Sequence, residues 1–288
     1  MSKIAIINDT HFGINNNSQR RLKYQLDYFE QQFFPVLKEQ NINQIIHLGD
    51  FFHSRKEISP NTFHWVKTRF LNYLKENNIK LEIVPGNHDL YFTQNSSITS
   101  LEVISEYDNV TIYHQPTIFE TDNFKFSLIP WISNKEEYER ADEFFKNNSH
   151  DIVFGHFELV NFFVTKQMLQ TTGFFTPDYF KNYDAVYSGH FHLRQDRGNI
   201  HYLGTQYELN WNDADTEKGF SIFDTSTRQM EFHRNPDRLH HRIFYNDSEE
   251  RDYDTELNMV KDKFVRVIVE NKTDEKKYQI FIQKLESV

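Results

Sequence analysis

Apolar residues follow two rhythms along the first 235 positions, and each rhythm predicts an element. Short runs of branched and aromatic residues predict strands at Lys3 to Ile7, Ile45 to Leu48, Leu81 to Val84, Val110 to Tyr113 and Lys125 to Ile129. Ile152 to Phe154 and Ala185 to Tyr187 read as short buried strands. Between the first two runs, Leu22, Leu26, Phe29, Phe33 and Leu37 recur at helical spacing, and Pro35 is expected to kink or end that helix. Ser59-Pro60 supplies an N-cap and a first-turn proline for a second helix, whose apolar face is Phe63, Val66, Phe70, Leu71 and Leu74. Glu136 to Asn147 reads as a charged amphipathic helix. From Ile200 the strands shorten: Ile200 to Leu203, Gly219 to Phe223 and Gln229 to Phe232. The pattern breaks around Asn235-Pro236-Asp237. A charged stretch, Glu249-Glu250-Arg251-Asp252, then precedes a strand at Phe264 to Val269 and a helical tail at Glu275 to Leu285. Alternating strands and helices predict a layered α/β core over 1–235, with 236–288 as linker and a smaller, incomplete unit.

Composition narrows the class. Apolar residues make up 38% and aromatic residues 16% of 288, a globular profile rather than a disordered one. Cysteine is absent, which excludes disulfides and thiolate metal sites and fits a reducing, cytoplasmic compartment. No apolar stretch approaches the roughly 18 residues that span a bilayer, so no membrane association is expected. Met1-Ser2-Lys3 followed by Ile4 to Ile7 is too short for a signal peptide. The formal charge of −10 has the wrong sign for a nucleic-acid binder, unless metal ions offset several of the acids.

One pattern recurs five times: a strand ends, and Asp, Asn or His follows beside Gly. The five are Asn8-Asp9-Thr10-His11, Gly49-Asp50, Gly86-Asn87-His88-Asp89, Gly155-His156 and Gly189-His190-Phe191-His192. In open α/β sheets, ligands bind beyond the carboxyl ends of strands, so these groups can meet at one rim. Asp9, His11, Asp50, Asn87, His156, His190 and His192 are too many for one ion and about right for two. A carboxylate such as Asp50 would then bridge them. Oxygen and imidazole donors without sulfur suit Mn, Fe or Zn better than an all-oxygen Ca or Mg cage. Singly, each motif is an ordinary turn or a satisfied histidine. His47, His64, His114, His201, His233, His240 and His241 receive that structural reading.

Taken together, the motifs resemble the calcineurin-like metallophosphoesterase superfamily, whose pattern is D-x-H, G-D, G-N-H-[DE], G-H and G-H-x-H. That resemblance implies a four-layer α/β/β/α sandwich and two divalent ions, most readily Mn²⁺. It places one ion on Asp9, His11, Asp50 and His192, and the other on Asp50, Asn87, His156 and His190. His88 would contact the scissile phosphate without binding metal. Gly49-Asp50-Phe51-Phe52-His53 and the ending Asp89 resemble the SbcD-type recombination nucleases rather than the phosphoprotein phosphatases. In those nucleases the histidine at the position of His53 is linked to handling the DNA end. Tyr202-Leu203-Gly204-Thr205 and Lys218-Gly219-Phe220 resemble the stretch that closes the nuclease core, with Gln206 departing from the usual apolar residue. Ile129-Pro130-Trp131 and Gly155-His156-Phe157-Glu158-Leu159 look most like the T-even-type bacteriophage branch.

The resemblance implies a manganese-dependent DNA nuclease subunit for recombination and double-strand-break repair. Double-strand 3′–5′ exonuclease and single-strand endonuclease activity would be expected of it. DNA, an SMC-like (SbcC-type) ATPase and a second copy of the chain would be partners, in the host cytoplasm if the gene belongs to a phage. The capping domain is expected to begin near Lys263 and to stop unfinished at Val288, short of the helical segment that grips the ATPase. Arg55 and Lys56, close after Asp50, are the strongest candidates for DNA phosphates; Arg20, Arg21, Arg194 and Arg197 are weaker. Phe12, Phe51, Phe52 and Phe191 read as packing supports. A phosphatase or phosphodiesterase for small or phosphoprotein substrates, and a non-catalytic DNA-end tether, are the competing readings.

Overall fold

Alternation within the first strand sets the layering. In the computed structural model, which describes residues 3–121, 124–148, 151–249 and 252–288, Ile4 and Ile6 face one apolar cluster, and Ala5 and Ile7 face another. Met1, Ser2, Glu250 and Arg251 lie outside the described residues. In chain order the main strands are β1 (Lys3–Ile7), β2 (Gln44–His47), β3 (Lys80–Ile83), β4 (Val110–Ile112) and β5 (Thr117–Thr121). Then come β6 (Phe124–Ile129), β7 (Ile152–His156), β8 (Ala185–Gly189), β9 (Gln195–Arg197) and β10 (Ile200–Tyr202). The last are β11 (Gly219–Asp224), β12 (Gln229–Arg234), β13 (His240–Asn246) and β14 (Phe264–Asn271).

Two six-stranded sheets form, in the orders β12-β11-β1-β2-β3-β4 and β9-β10-β8-β7-β6-β5. β1 through β4 run parallel, as do β6, β7, β8 and β10, while β11 and β12 in the first sheet and β5 and β9 in the second pair antiparallel. Ile4, Ile6, Ile46 and Val84 of one sheet meet Phe126, Phe154 and Tyr187 of the other. Phe126 and Phe154 lie 4.9 Å apart, and Phe154 lies 5.4 Å from Phe223. Removing one such ring would cost about 3–5 kcal/mol. The outer face of the first sheet packs against Leu22, Leu26, Phe29, Phe33, Val66 and Phe70 of the first two helices. The outer face of the second packs against Ala141 and Phe145 of the helix Lys135–Asn147. The chain is thus a four-layer α/β/β/α sandwich.

Pro35 does not end the first helix. Gln19–Tyr28 runs through a π turn at Phe29–Phe33 into Phe34–Glu39, with the Phe34 N–H bonded to the Phe29 carbonyl five residues back. This wide turn sits just ahead of the proline and takes up the mismatch an N–H-less ring would create in a regular helix. Ser59 caps the second helix as its sequence predicts, its Oγ accepting from Thr62 N at 3.0 Å.

The patterning predicts neither β13 nor the helix Tyr253–Met259. β13 pairs parallel with β14, His240 opposite Phe264, and Ile243, Tyr245, Leu257, Val260 and Phe281 form their own small core. Among the described residues no helix is long and apolar enough to cross a membrane.

Candidate metal centre

The five strand ends converge on one rim because the loops beyond β1, β2 and β3 are stitched to each other and to the second sheet. Asp9 N donates to Gly49 O at 2.8 Å and His11 N to Asp50 O at 3.0 Å. His88 N donates to Asp50 Oδ1 at 2.7 Å. Across the sheets, His190 N donates to Asp9 Oδ2 at 2.9 Å, and His156 Nδ1 meets Leu48 O at 2.6 Å. Two glycines permit this closeness. Gly49 has φ +91°, and a Cβ there would lie 2.6 Å from Gly86 N and from His156 Nδ1. A Cβ on Gly86 would run into the Asp50 carboxylate and backbone N. Asp9, His11, Asp50 and His190 themselves hold positive φ (49°, 46°, 59° and 86°), the kind of backbone strain that collects at functional sites.

All seven sequence-predicted ligands come together. Asp9, His11 and His192 offer donor atoms within 4.8 Å of one another, as do Asp9, Asp50 and His156. Asn87 Oδ1 lies 3.1 Å from His156 Nε2 and 3.0 Å from His190 Nδ1. Asp50 stands between the groups, its Oδ2 3.5 Å from His11 Nε2 and 3.7 Å from His156 Nε2. The donor set fits cations. Asp9 Oδ1 is buried with no hydrogen-bond partner, and His11 and His192 point Nε2 at each other across 3.2 Å. Among the described residues, only histidine rings stand within ion-pair distance of the Asp9 and Asp50 carboxylates. Buried carboxylates demand a compensating charge. The imidazoles do not supply it: burial lowers His11 far below its usual range and brings His156 to about 4. Neutral rings are the ligand form.

His88 lies beside this cluster, and His11, His53 and His88 present nitrogens within 4.8 Å. His88 Nδ1 meets the His53 carbonyl at 2.7 Å, which fixes the ring and leaves Nε2 for a substrate oxygen. Burial, aided by His88, holds His53 at about 4.

Comparison with known proteins places this arrangement. The calcineurin-like phosphoesterase pattern matches residues 2–194, two-thirds of the chain and all five strand ends. The chain belongs to that family. This phosphoesterase is 33% identical over 268 residues to exonuclease subunit 1 of Enterobacteria phage T4, covering 93% of this chain and 76% of the relative. It is 27% identical over 213 residues to the DNA double-strand break repair protein Mre11 of Sulfurisphaera tokodaii, covering 68% of this chain and 50% of the relative. The similarity to SbcD-type nuclease subunits drawn from the motifs is thus found in these relatives. Among solved structures, an archaeal phosphodiesterase is 16% identical, covering 81% of this chain and 99% of its own, with a TM-score of 0.38.

Several groups that hold the phosphoesterase site together have a role that the motifs do not reveal. Asp89 accepts from Asp50 N (2.8 Å), Phe51 N (3.1 Å), Phe52 N (3.3 Å) and Gly86 N (2.8 Å), fixing the Asp50 loop. Burial and Asp50 push the Asp89 carboxyl up to about 8. Four N–H donors leave no acceptor for a carboxyl proton, so the geometry accommodates the ionised form. Behind His192 sits a buried pair: Asp213 Oδ2 lies 3.8 Å from His192 Nδ1, and Lys218 Nζ donates to His192 O at 2.7 Å. Burial pulls His192 down, but Asp213 outweighs it and raises the ring above its usual value. Lys218 appears in the sequence as part of a family stretch, not as a buried cation.

The basic residues divide sharply. Lys56 is exposed and Arg55 half-buried beside the rim. Arg21 is unavailable to a ligand: it is buried, donating to Leu209 O at 2.6 Å and meeting His240 Nε2 at 3.1 Å. Arg20 pairs with Asp262, Arg194 lies over the Phe232 ring, and Arg197 donates to Asn161 O. Phe12, Phe51, Phe52 and Phe191 are buried packing residues. His47 is a satisfied core histidine, accepting from Gly49 N and meeting Thr10 Oγ1, and burial lowers it to about 3.

Proposed function

We propose that this phosphoesterase is a manganese-dependent DNA nuclease, cutting duplex ends 3′ to 5′ and single strands internally, as a subunit of a recombination and break-repair machine. The observation that carries the reading is the rim itself. Buried Asp9 and Asp50 converge there with Asn87 and with His11 and His156, which burial keeps neutral. Among the described residues, only histidine rings stand within ion-pair distance of the two carboxylates. Asp9, His11, Asp50 and His192 would hold one divalent ion, and Asp50, Asn87, His156 and His190 the other. Paired ions there would activate water and neutralise charge developing on phosphoryl oxygens. The chain's own groups do the rest. Leu48 O holds His156 with Nε2 toward the site, Asp89 fixes the Asp50 loop, and His53 O orients His88 so that Nε2 can donate to the leaving oxygen.

DNA as the substrate is supported by the G-D-F-F-H motif with His53 beside His88, by Arg55 and Lys56 at the rim, and by relatives named as an exonuclease subunit and a double-strand break repair protein. The name of the first relative, an exonuclease subunit, supports a partner protein for this chain. The motif resemblance makes that partner an SMC-like ATPase, with a second copy of the chain beside it. The charge of −10 favours the second reading, a phosphodiesterase for small substrates.

End-labelled duplex DNA incubated with Mn²⁺ tests the proposal, beside a chelator control and His88→Ala. We expect manganese-dependent loss of label, abolished by the chelator and slowed roughly 10²–10⁴-fold by His88→Ala. Intact DNA with rapid hydrolysis of a nitrophenyl phosphodiester would select the small-substrate reading. Metal bound at full stoichiometry with neither substrate cut would leave a DNA-end tether.

A further inference from the structure

Three residues beyond His88, the chain exposes two aromatic rings where a folded protein ordinarily hides them. Tyr91 is 40% and Phe92 48% exposed, their centroids 4.8 Å apart. They stand on a small antiparallel hairpin, Leu90–Phe92 with Asn95–Thr99, whose register shifts between Leu90 and Phe92. The hairpin is fastened at both ends. At its base Leu90 and Thr99 are buried and Ser100 N donates to Asp89 O at 2.7 Å. Near its tip Glu137 accepts from Ser96 Oγ at 2.5 Å, and Asn134 Nδ2 donates to Gln94 O at 3.1 Å. An adjoining pair of exposed rings on a fastened hairpin beside the site is a candidate contact surface.

Their position identifies it. Lys56 Nζ lies 5.8 Å from the Tyr91 centroid. Lys56 follows His53 by three residues, and His53 O holds His88, so the site, the cation and the rings close a small circuit. Three residues span at most about 11 Å, the rise of about three stacked nucleotides. Resting on the nuclease reading, we propose that Tyr91 and Phe92 form a stacking platform for unpaired bases of a DNA strand whose phosphate lies at His88, with Lys56 on the adjoining phosphate. The two rings meet edge to face at 82°, so each offers its own face to a base, and π faces edged by a cation are what sequence-tolerant single-strand binding requires. It also gives an overall acidic chain a local DNA contact that depends little on charge.

A fluorescent single-stranded oligonucleotide carrying 2-aminopurine, bound to the His88→Ala chain so that it is not cut, reads the platform directly. Tyr91→Ala with Phe92→Ala should raise Kd by about 5- to 150-fold and abolish quenching of the probe base. Tyr91→Trp should restore binding, its indole fluorescence quenched by DNA. Ile98→Ala, exposed on the same hairpin, serves as the control and should change neither. Unchanged affinity and quenching in the double variant, while the wild-type chain cuts DNA, overturns the platform and leaves the rings to a protein contact. If the wild-type chain does not cut DNA and the His88→Ala chain does not bind it, the nuclease reading falls and the platform falls with it.

Discussion

Gly86 shows how a single missing atom holds the site open. Its neighbours are the Asp50 carboxylate, the Asp50 N–H and the His156 ring, and a methyl group would displace all three. Those groups are bound into other hydrogen bonds, to His88 N, to Asp89 and to Leu48 O, so none can move alone. Gly86→Ala should therefore bind Mn²⁺ at least about 10-fold more weakly and lose at least about 100-fold in phosphodiester hydrolysis, the scale at which ångström misplacement acts. Calorimetric titration with Mn²⁺ beside a hydrolysis assay checks this, and near-native affinity would contradict it. The chemistry-bearing side chains were legible because Asp, Asn and His stand out beside glycine at strand ends. The His53 carbonyl that orients His88 was not, because backbone oxygens leave no mark on a sequence. Asp89 was legible only as a motif's last letter, although it bonds four backbone N–H groups.

At the scale of elements, strands buried on both faces announced themselves. Ile4-Ala5-Ile6-Ile7 supplies apolar side chains to both layers, and the run is visible without context. β5 escaped because one face is solvent, so Thr117, Glu120 and Thr121 dilute Ile118 and Phe119. β13 opens on His240-His241-Arg242, whose polar character hides an apolar strand, and its helix lies in acidic sequence. The helix Lys135–Asn147 was legible, but its start holds more than its pattern reveals. Asn134 caps Glu137 N, and Glu137 in turn accepts from Ser133 N and Oγ and from Ser96 Oγ, tying the helix to the hairpin. Burial works to raise the Glu137 carboxyl, but the Ser96 and Ser133 bonds prevail and lower it. A depressed folded pKa contributes stability above the ordinary value of about 4.3, lost as pH falls through the folded one. Glu137→Gln should cost about 2 kcal/mol at pH 7 and progressively less below about pH 4. Urea denaturation at both pH values decides it; a cost that grows in acid would reverse the sign and refute the account.

Across the whole molecule, a buried polar knot ties the segment after β12 to the core. Glu208 Oε2 accepts from Leu239 N at 2.9 Å and His240 N at 2.8 Å, and meets His240 Nδ1 at 3.1 Å. On the other side of the imidazole, Arg21 from the first helix reaches Nε2, and its guanidinium lies 4.4 Å from the centroid of the Phe264 ring. β13, β14 and the first helix thus meet on a residue from the loop that also positions Asp213 behind His192. Removing the carboxylate would strand several buried donors at once, at a cost of about 3 kcal/mol. Because 240–288 has its own small core, that cost should fall on the seam rather than on the sandwich. Glu208→Ala should therefore yield, under limited proteolysis, a stable fragment ending near residue 236, while the wild-type chain stays whole under the same treatment. Mass spectrometry of the fragments gives the answer. If cleavage instead spreads through β1 to β12, the knot supports the sandwich itself, and the two cores unfold as one.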